Sequence, residues 1–352
     1  MDLDLSLAAP GLTARLIDIE SVSGGEKPLA DAIDAALRGL PHLSVHRDGN
    51  ALVARTELGR DQRVVLAGHI DTVPVAGNLP SRIERESLYG CGSCDMKSGL
   101  AVALRLAALV PDPRVDVTYV FYDGEEVESE RNGLLRVSRN SPELLDADLA
   151  VLMEPTGGVV EGGCQGTLRA EVRAQGTRAH SARSWMGVNA IHEAGNIIDV
   201  LRGYEVRQPL VEGLTYREGL NAVLIRGGVA GNVIPDECVV TVNYRFAPDR
   251  SAQEAQEHVR LIFGDWDVTM TDAVGGARPG LNEPAAASFV AAIGGTPRAK
   301  LGWTDVARFA SLGIAAVNYG PGDPQLAHTA KEHVALAAIT DCEARMLAWL
   351  TA

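Results

Sequence analysis

Long apolar runs are missing from this sequence, and with them the roughly 18 consecutive apolar residues that a bilayer-spanning helix needs. No membrane partner is expected. Cysteine is scarce: Cys91, Cys94, Cys164, Cys238 and Cys342 are the five in 352 residues. They are too few and too irregular for a disulfide framework, so reduced thiols are expected. Basic blocks are absent as well. With 32 Lys and Arg against 46 Asp and Glu, the formal net charge of −14 repels nucleic acid and anionic lipid, and neither is expected to bind. The opening MDLDLSLAAPGL carries two acids and no basic region ahead of its short apolar run. It does not read as a signal peptide, and the cytoplasm is the expected location.

What is present, 46% hydrophobic and 22% charged residues, suits a globular enzyme. The length favours a main domain with a smaller companion. Residues 12–40 look helical around a turn-prone SVSGGEK. Apolar runs ending in turn residues then recur, RVVLAGH to residue 69, VDVTYVFYDG to 124 and LAVLMEPTGG to 158, with the helical stretches KSGLAVALRLAALV and NGLLRVSRNSPELL between them. Strands alternating with helices predict an α/β domain with a mostly parallel, helix-covered sheet. From about Thr167 the texture changes. LRAEVRAQG alternates like a half-exposed strand, NAIHEAGNIIDVLRGY and SAQEAQEHVRLIFG read as helices, and two or three strands surround GNVIPDE. This predicts an inserted α+β unit over residues 167–275, an antiparallel sheet plus two helices, within a main domain of residues 1–166 and 276–352. DVARFASLGIAAVNYGPGDP and a final helix in KEHVALAAITDCEARMLAWL resume the α/β pattern.

His69 and Asp71 stand two apart after RVVLAG, on one face if the extended geometry continues. A metal-binding histidine commonly gives its second ring N–H to a carboxylate or carbonyl, but HxD alone is equally a structural pair. Asp95 sits where the Gly-rich YGCGSC opens into a helix, a place for a cap. The string GSCDMKS also mimics a phosphate loop, but Met96 stands where glycine should precede Lys97. Cys91 and Cys94 form a CxxC without a second pair at zinc-finger spacing. The adjacent Glu125 and Glu126 leave the backbone in different directions, so one can bind metal while the other faces a water; the bland alternative is a solvated acidic loop. Glu154 ends LAVLMEPT, and His328 lies in PGDPQLAHTAKEH after another strand.

Four separate apolar strands or their loops deliver His69, Glu125 with Glu126, Glu154 and His328 at their C-terminal ends, where open parallel sheets build their sites. Two histidines with three or four carboxylates suit zinc better than calcium or magnesium. Three carboxylates, Asp95, Glu126 and Glu154, against two zinc ions leave one charge for a bridging hydroxide.

The strings GHIDTVP, YGCGSCDMKSG, DGEEVES, MEPT and AHSARSWMGVNAIH resemble, in order and spacing, the di-zinc aminoacylase/carboxypeptidase family over nearly the whole chain. The closing GWTDVARFASLGIAAVNYGPGDPQLAHTAKEHV is most similar to the actinobacterial branch that removes succinyl groups. The resemblance implies two Zn2+ per subunit, with Co2+ or Mn2+ as substitutes. It implies that Asp95 bridges them, with His69 and Glu154 on one and Glu126 and His328 on the other, and a cis bond after Asp95. Glu125 would be the general base, and Asp71 would orient His69. His180 would reach the partner's site in a homodimer formed by the inserted unit. Asn232 and Arg245, and more weakly Thr304 and Arg308, match substrate contacts. The implied reaction is hydrolysis of a small N-acylated amino acid, N-succinyl-diaminopimelate foremost, with an acetylated ornithine or a dipeptide as alternatives. A catalytically silent binding relative is the alternative of another class. Two departures stand out. Cys94 precedes Asp95 where a small apolar residue is more familiar, and Gln165 falls where Gram-negative relatives present an arginine.

Overall fold

The computed structural model describes residues 3–352, which divide into two compact units. The first comprises residues 3–162, 280–298 and 308–352; the second comprises 163–279 and 299–307. The second unit thus takes in a short segment after residue 298 of which the sequence texture gave no sign.

In the first unit, the strand Arg63–His69 lies between Asp116–Tyr122 and Leu149–Leu152 and is parallel to both, and Leu149–Leu152 is parallel to Ala315–Asn318. The hairpin Ser44–Asp48 and Ala51–Arg55 extends the sheet antiparallel to Asp116–Tyr122. All seven residues of Asp116–Tyr122 are buried, because both faces of the strand are covered, and its sequence is accordingly an almost unbroken apolar run. The chain leaves Arg63–His69 for the neighbour on one side and returns on the other. The strand order therefore reverses between Arg63–His69 and Leu149–Leu152, which opens a crevice at their C-terminal ends. Helix Lys97–Leu109 packs with helices Ala9–Ile17 and Leu336–Thr351, and helix Pro284–Ile293 packs on the last of these, all within one apolar core.

The second unit is an antiparallel sheet in the order Gly219–Gly227, Glu237–Phe246, Gly166–Gln175, Asp267–Val274. Strand Gly166–Gln175 alternates between buried and more exposed positions, and its apolar face meets helices Ala190–Arg202 and Ala252–Ile262. The second helix opens with a reciprocal capping box between Ser251 and Glu254. Gly219–Gly227 is an edge strand, and its Val223, Leu224 and Ile225 are each more than half exposed.

The α/β class with its inserted α+β unit matches the periodicity. Among the described residues no helix is long and apolar enough to cross a membrane. Three elements carried too little pattern to be foreseen: the hairpin, whose first strand is only half-buried, the threonine-rich strand Asp267–Val274, and helix Pro284–Ile293, whose PAAASFVAAI is apolar without a face.

Gly99 lets helix Lys97–Leu109 close on the sheet, since a Cβ there would lie 2.1 Å from the Met153 carbonyl oxygen. Gly195, on the exposed side of helix Ala190–Arg202, has nothing within 4 Å of the same position. Gly99→Ala is expected to cost about 1–3 kcal/mol or more by overpacking. Gly195→Ala should stabilise by about 0.5–1 kcal/mol through helix propensity. Urea titrations of the two variants check this; equal midpoints would contradict it.

Candidate metal centre

Sheet register brings the candidate residues of the first unit to one edge. His69 ends its strand level with Tyr122, and Ala67 is level with Leu152, so Glu154 follows beside the same strand end. Glu154 is buried. Glu125 and Glu126 follow Gly124, whose φ of 70° turns the chain where a side chain would strike the Arg131 carbonyl.

His69 is fixed by its own loop. Its Nδ1 lies 3.0 Å from the backbone carbonyl of Asp71, which only accepts, so Nδ1 carries the proton and Nε2 is directed at the site. The Asp71 carboxylate is 3.6 Å from the same ring nitrogen. That carboxylate has other partners: it accepts from the backbone N–H groups of Glu125 at 3.0 Å and Glu126 at 3.1 Å, and from the Ser23 hydroxyl at 2.7 Å. Asp71 therefore orients His69 mainly through its main chain and anchors the two glutamates through its side chain. Burial works to raise its pKa, but His69, Ser23 and the Glu126 amide outweigh it and hold the carboxyl below the ordinary range. Ser23, in a string read only as a turn, was not singled out by the sequence.

Asp95 occupies the centre, and the Asp95–Met96 peptide bond is cis. Its Oδ1 is 3.1 Å from His69 Nε2 and its Oδ2 is 3.4 Å from His328 Nε2, which in turn is 2.8 Å from Glu126 Oε1. His328 adopts a left-handed φ of 61°, costly for a side-chain-bearing residue and found where surroundings over-determine a conformation. Desolvation would raise the Asp95 pKa, but the two imidazoles pull it far below the ordinary range. Hydrogen bonds to Asp95 and Glu126 push His328 up to about 10. Burial opposes the charge of His69, yet Asp71 and Asp95 raise its pKa well above the usual value. The surrounding carboxylates thus favour positive charge at this spot, and a bound cation would supply it.

The residues fit such a cation. Ligand atoms about 2.1 Å from a tetrahedral metal stand about 3.4 Å apart. The Asp95–histidine separations of 3.1 and 3.4 Å are of that order, so either pair would fit around a cation. Ligand atoms of His69, Asp95 and Glu126 all lie within 4.8 Å of one another.

The other motifs resolve differently. Lys97 is buried and donates to the Ile19 carbonyl at 2.9 Å, with burial lowering its pKa to about 8, so it cradles no phosphate. The thiol of Cys94 donates to the Asp323 carbonyl at 2.9 Å, and that of Cys91 to the Val73 carbonyl at 3.6 Å. In the second unit His180 is exposed, its Nδ1 accepting from the Ala182 N–H at 3.0 Å, and the Asn232 carbonyl accepts from the Ser181 N–H at 2.9 Å. Arg245 is exposed on its strand, and Thr304 is buried. Arg308 belongs to the first unit and donates to the Ser129 hydroxyl at 3.1 Å, so TDVARF straddles the boundary between the units. Gln165 donates to the Arg217 carbonyl at 2.7 Å.

Comparison with known proteins places the chain in a family. A protein of Mycobacterium tuberculosis named succinyl-diaminopimelate desuccinylase is 58% identical over 341 residues, 96% of each chain. The succinyl-diaminopimelate desuccinylase of Corynebacterium glutamicum is 48% identical over 353 residues, covering 97% of this chain and 95% of its own. Among solved structures, a tripeptidase from Staphylococcus aureus superposes with a TM-score of 0.80 at 22% identity, over 99% of this chain and 98% of its own, a likeness of fold alone. The pattern of peptidase family M20/M25/M40 matches residues 65–352, and the chain belongs to that family.

Proposed function

We propose that this protein is a di-zinc amidohydrolase that converts N-succinyl-LL-2,6-diaminopimelate to succinate and LL-2,6-diaminopimelate, for lysine and diaminopimelate synthesis in the cytoplasm. The observation that carries the metal chemistry is Asp95, one oxygen facing His69 and the other His328. The names of the two relatives support the substrate. In this reading Asp95 is shared by both ions, His69 and Glu154 complete one set, and Glu126 and His328 the other. Co2+ or Mn2+ would substitute.

Cations held by these residues would supply Lewis acidity, polarising the scissile carbonyl and making a water nucleophilic near neutral pH. Glu125 takes the proton of the attacking water and returns it to the amine nitrogen as the C–N bond breaks, leaving succinate as the carboxylate. Its amide is tied to Asp71, so the loop that carries the base is fixed to the loop that carries His69. Arg245 and Asn232 face the substrate's carboxylates, with Thr304 and Arg308 as further contacts. His180 stabilises the developing oxyanion in the partner's site. An acetylornithine deacetylase or dipeptidase would share the chemistry and differ in the acyl pocket. A silent binding relative would have no use for Glu125. Amine release from a panel of succinyl, acetyl and peptidyl substrates after Zn2+ addition separates these readings; a dipeptide or acetylated substrate turned over faster than the succinylated one would overturn the assignment.

Glu125→Gln is expected to keep its zinc and lose about 10²–10⁴-fold in kcat, the usual share of a general base. Elemental analysis with kinetics checks this, and near-normal turnover or loss of both ions would contradict it.

The homodimer is expected to pair the exposed edge Gly219–Gly227 with its copy, covering Val223, Leu224 and Ile225. Mixing inactive His180→Ala and Glu125→Ala proteins should restore activity, because one site in each mixed dimer regains both groups. Subunit exchange without any recovery would show that His180 does not act in trans.

In the metal-free protein His328 titrates near 10 against an ordinary 6.5. The stability it contributes is fully present below about pH 6.5 and is lost as pH rises through about 10. Lys97, lowered to about 8, acts in the opposite sense over that range. The difference between wild type and Glu126→Gln isolates the histidine: in chelator, the melting temperatures should converge as pH rises from 7 to 10. A constant gap would contradict the coupling.

A further inference from the structure

Glu332 lies four residues beyond His328 and is 2% exposed, yet the reading of the site so far gives it no part. Its side chain receives three backbone hydrogen bonds from one loop. Oε2 accepts from the Gly92 N–H at 2.9 Å, and Oε1 accepts from the N–H groups of Cys94 at 2.8 Å and Asp95 at 3.0 Å. Its own carbonyl accepts from the Gly90 N–H at 3.3 Å. The strand His333–Ala335 begins at the next residue and pairs antiparallel with Ser87–Tyr89, with the His333 and Tyr89 rings stacked at 4.6 Å. This pairing delivers the carboxylate to the loop. A buried carboxylate is tolerated only where its oxygens are satisfied, and here the satisfying groups are three amides of the turn that presents Asp95.

We infer that Glu332 is the positioning residue of the metal centre, fixing the Asp95 carboxylate and the His328 loop relative to each other. His328 and Asp95 are far apart in sequence, on loops with no helix or strand in common. The three amides, together with the bond from the Cys94 thiol to the Asp323 carbonyl at 2.9 Å, join the loop before the helix at Lys97 to the loop that carries His328. Both oxygens of Glu332 must accept. In Glu332→Gln one position becomes an NH2 group, which faces either the Gly92 N–H or the N–H pair of Cys94 and Asp95. Donor then opposes donor at the turn that aims the shared ligand.

The inference rests on the metal-centre reading, and Co2+ binding to the metal-free protein tests the two separately. Partners that orient metal ligands typically carry about 10–100-fold in metal affinity or activity. Glu332→Gln should lose about that much Co2+ affinity by calorimetry and a similar factor in kcat, with KM unchanged. In the metal-free protein its Cys94 and Asp95 amides should exchange with deuterium faster than in wild type. Glu332→Asp, which keeps the charge but retracts it, should fall between the two. Val334→Ala, a core change in the adjoining strand at 1% exposure, should lower the melting temperature and leave Co2+ affinity intact. Wild-type Co2+ affinity in Glu332→Gln, or an equal loss in Val334→Ala at matched stability, would overturn the role. If wild type bound no Co2+, the metal-centre reading would fail, and amide exchange would still decide whether Glu332 sets the loop.

Discussion

The repulsion between carboxylates gathered at one end of the sheet is the constraint around which the first unit is arranged. Asp71, Glu125, Glu126 and Glu154 come from the loops that follow parallel strands, and Asp95 from the turn between the antiparallel strand Ser87–Tyr89 and the helix Lys97–Leu109. Like charges this close are stable only with positive charge among them. The two imidazoles are the positive groups among them: the neighbouring carboxylates raise His328 to about 10, and raise His69 despite its burial.

Preorganisation extends through the backbone. The Asp71 side chain binds the amides of Glu125 and Glu126, while its carbonyl sets the His69 ring. One residue thus ties the loop after Arg63–His69 to the loop after Asp116–Tyr122. Adjacent glutamates can then take different roles, because the main chain between them is held and their side chains diverge. An acidic loop in solvent would have no such anchor.

Much of this was legible in the sequence, for identifiable reasons. Buried parallel strands are apolar throughout, so RVVLAGH, VDVTYVFYDG and LAVLMEPTGG marked both the strands and the places where His69, Glu125, Glu126 and Glu154 emerge. Asp95 and His328 were visible only as members of an ordered set of motifs, since each lies in a loop whose shape has no periodicity. The hairpin Ser44–Arg55 and helix Pro284–Ile293 were missed because one is half-exposed and the other apolar all round. The second contact of Asp71 was missed because backbone amides look the same in every sequence. Ser23 and Glu332 belong to the same class: their partners are a carboxylate and three amides brought close by folding, and no local spacing announces them.

The division into two units separates demands that conflict in one core. A metal cluster needs ligands held to a fraction of an ångström, which favours strands buried on both faces and loops cross-tied by hydrogen bonds. The second unit is built otherwise, on an antiparallel sheet with only one face committed to packing. Arg245 and His180 are exposed there, whereas His69 and Asp71 are almost wholly buried in the first unit. Substitution at an exposed strand position disturbs packing little, so an insertion of this kind can change its substrate contacts while the metal ligands stay fixed. Gln165, where the resemblance places an arginine in relatives of another branch, is a different case, 2% exposed and just ahead of strand Gly166–Gln175. It lies in the second unit, and its amide is occupied by the Arg217 carbonyl.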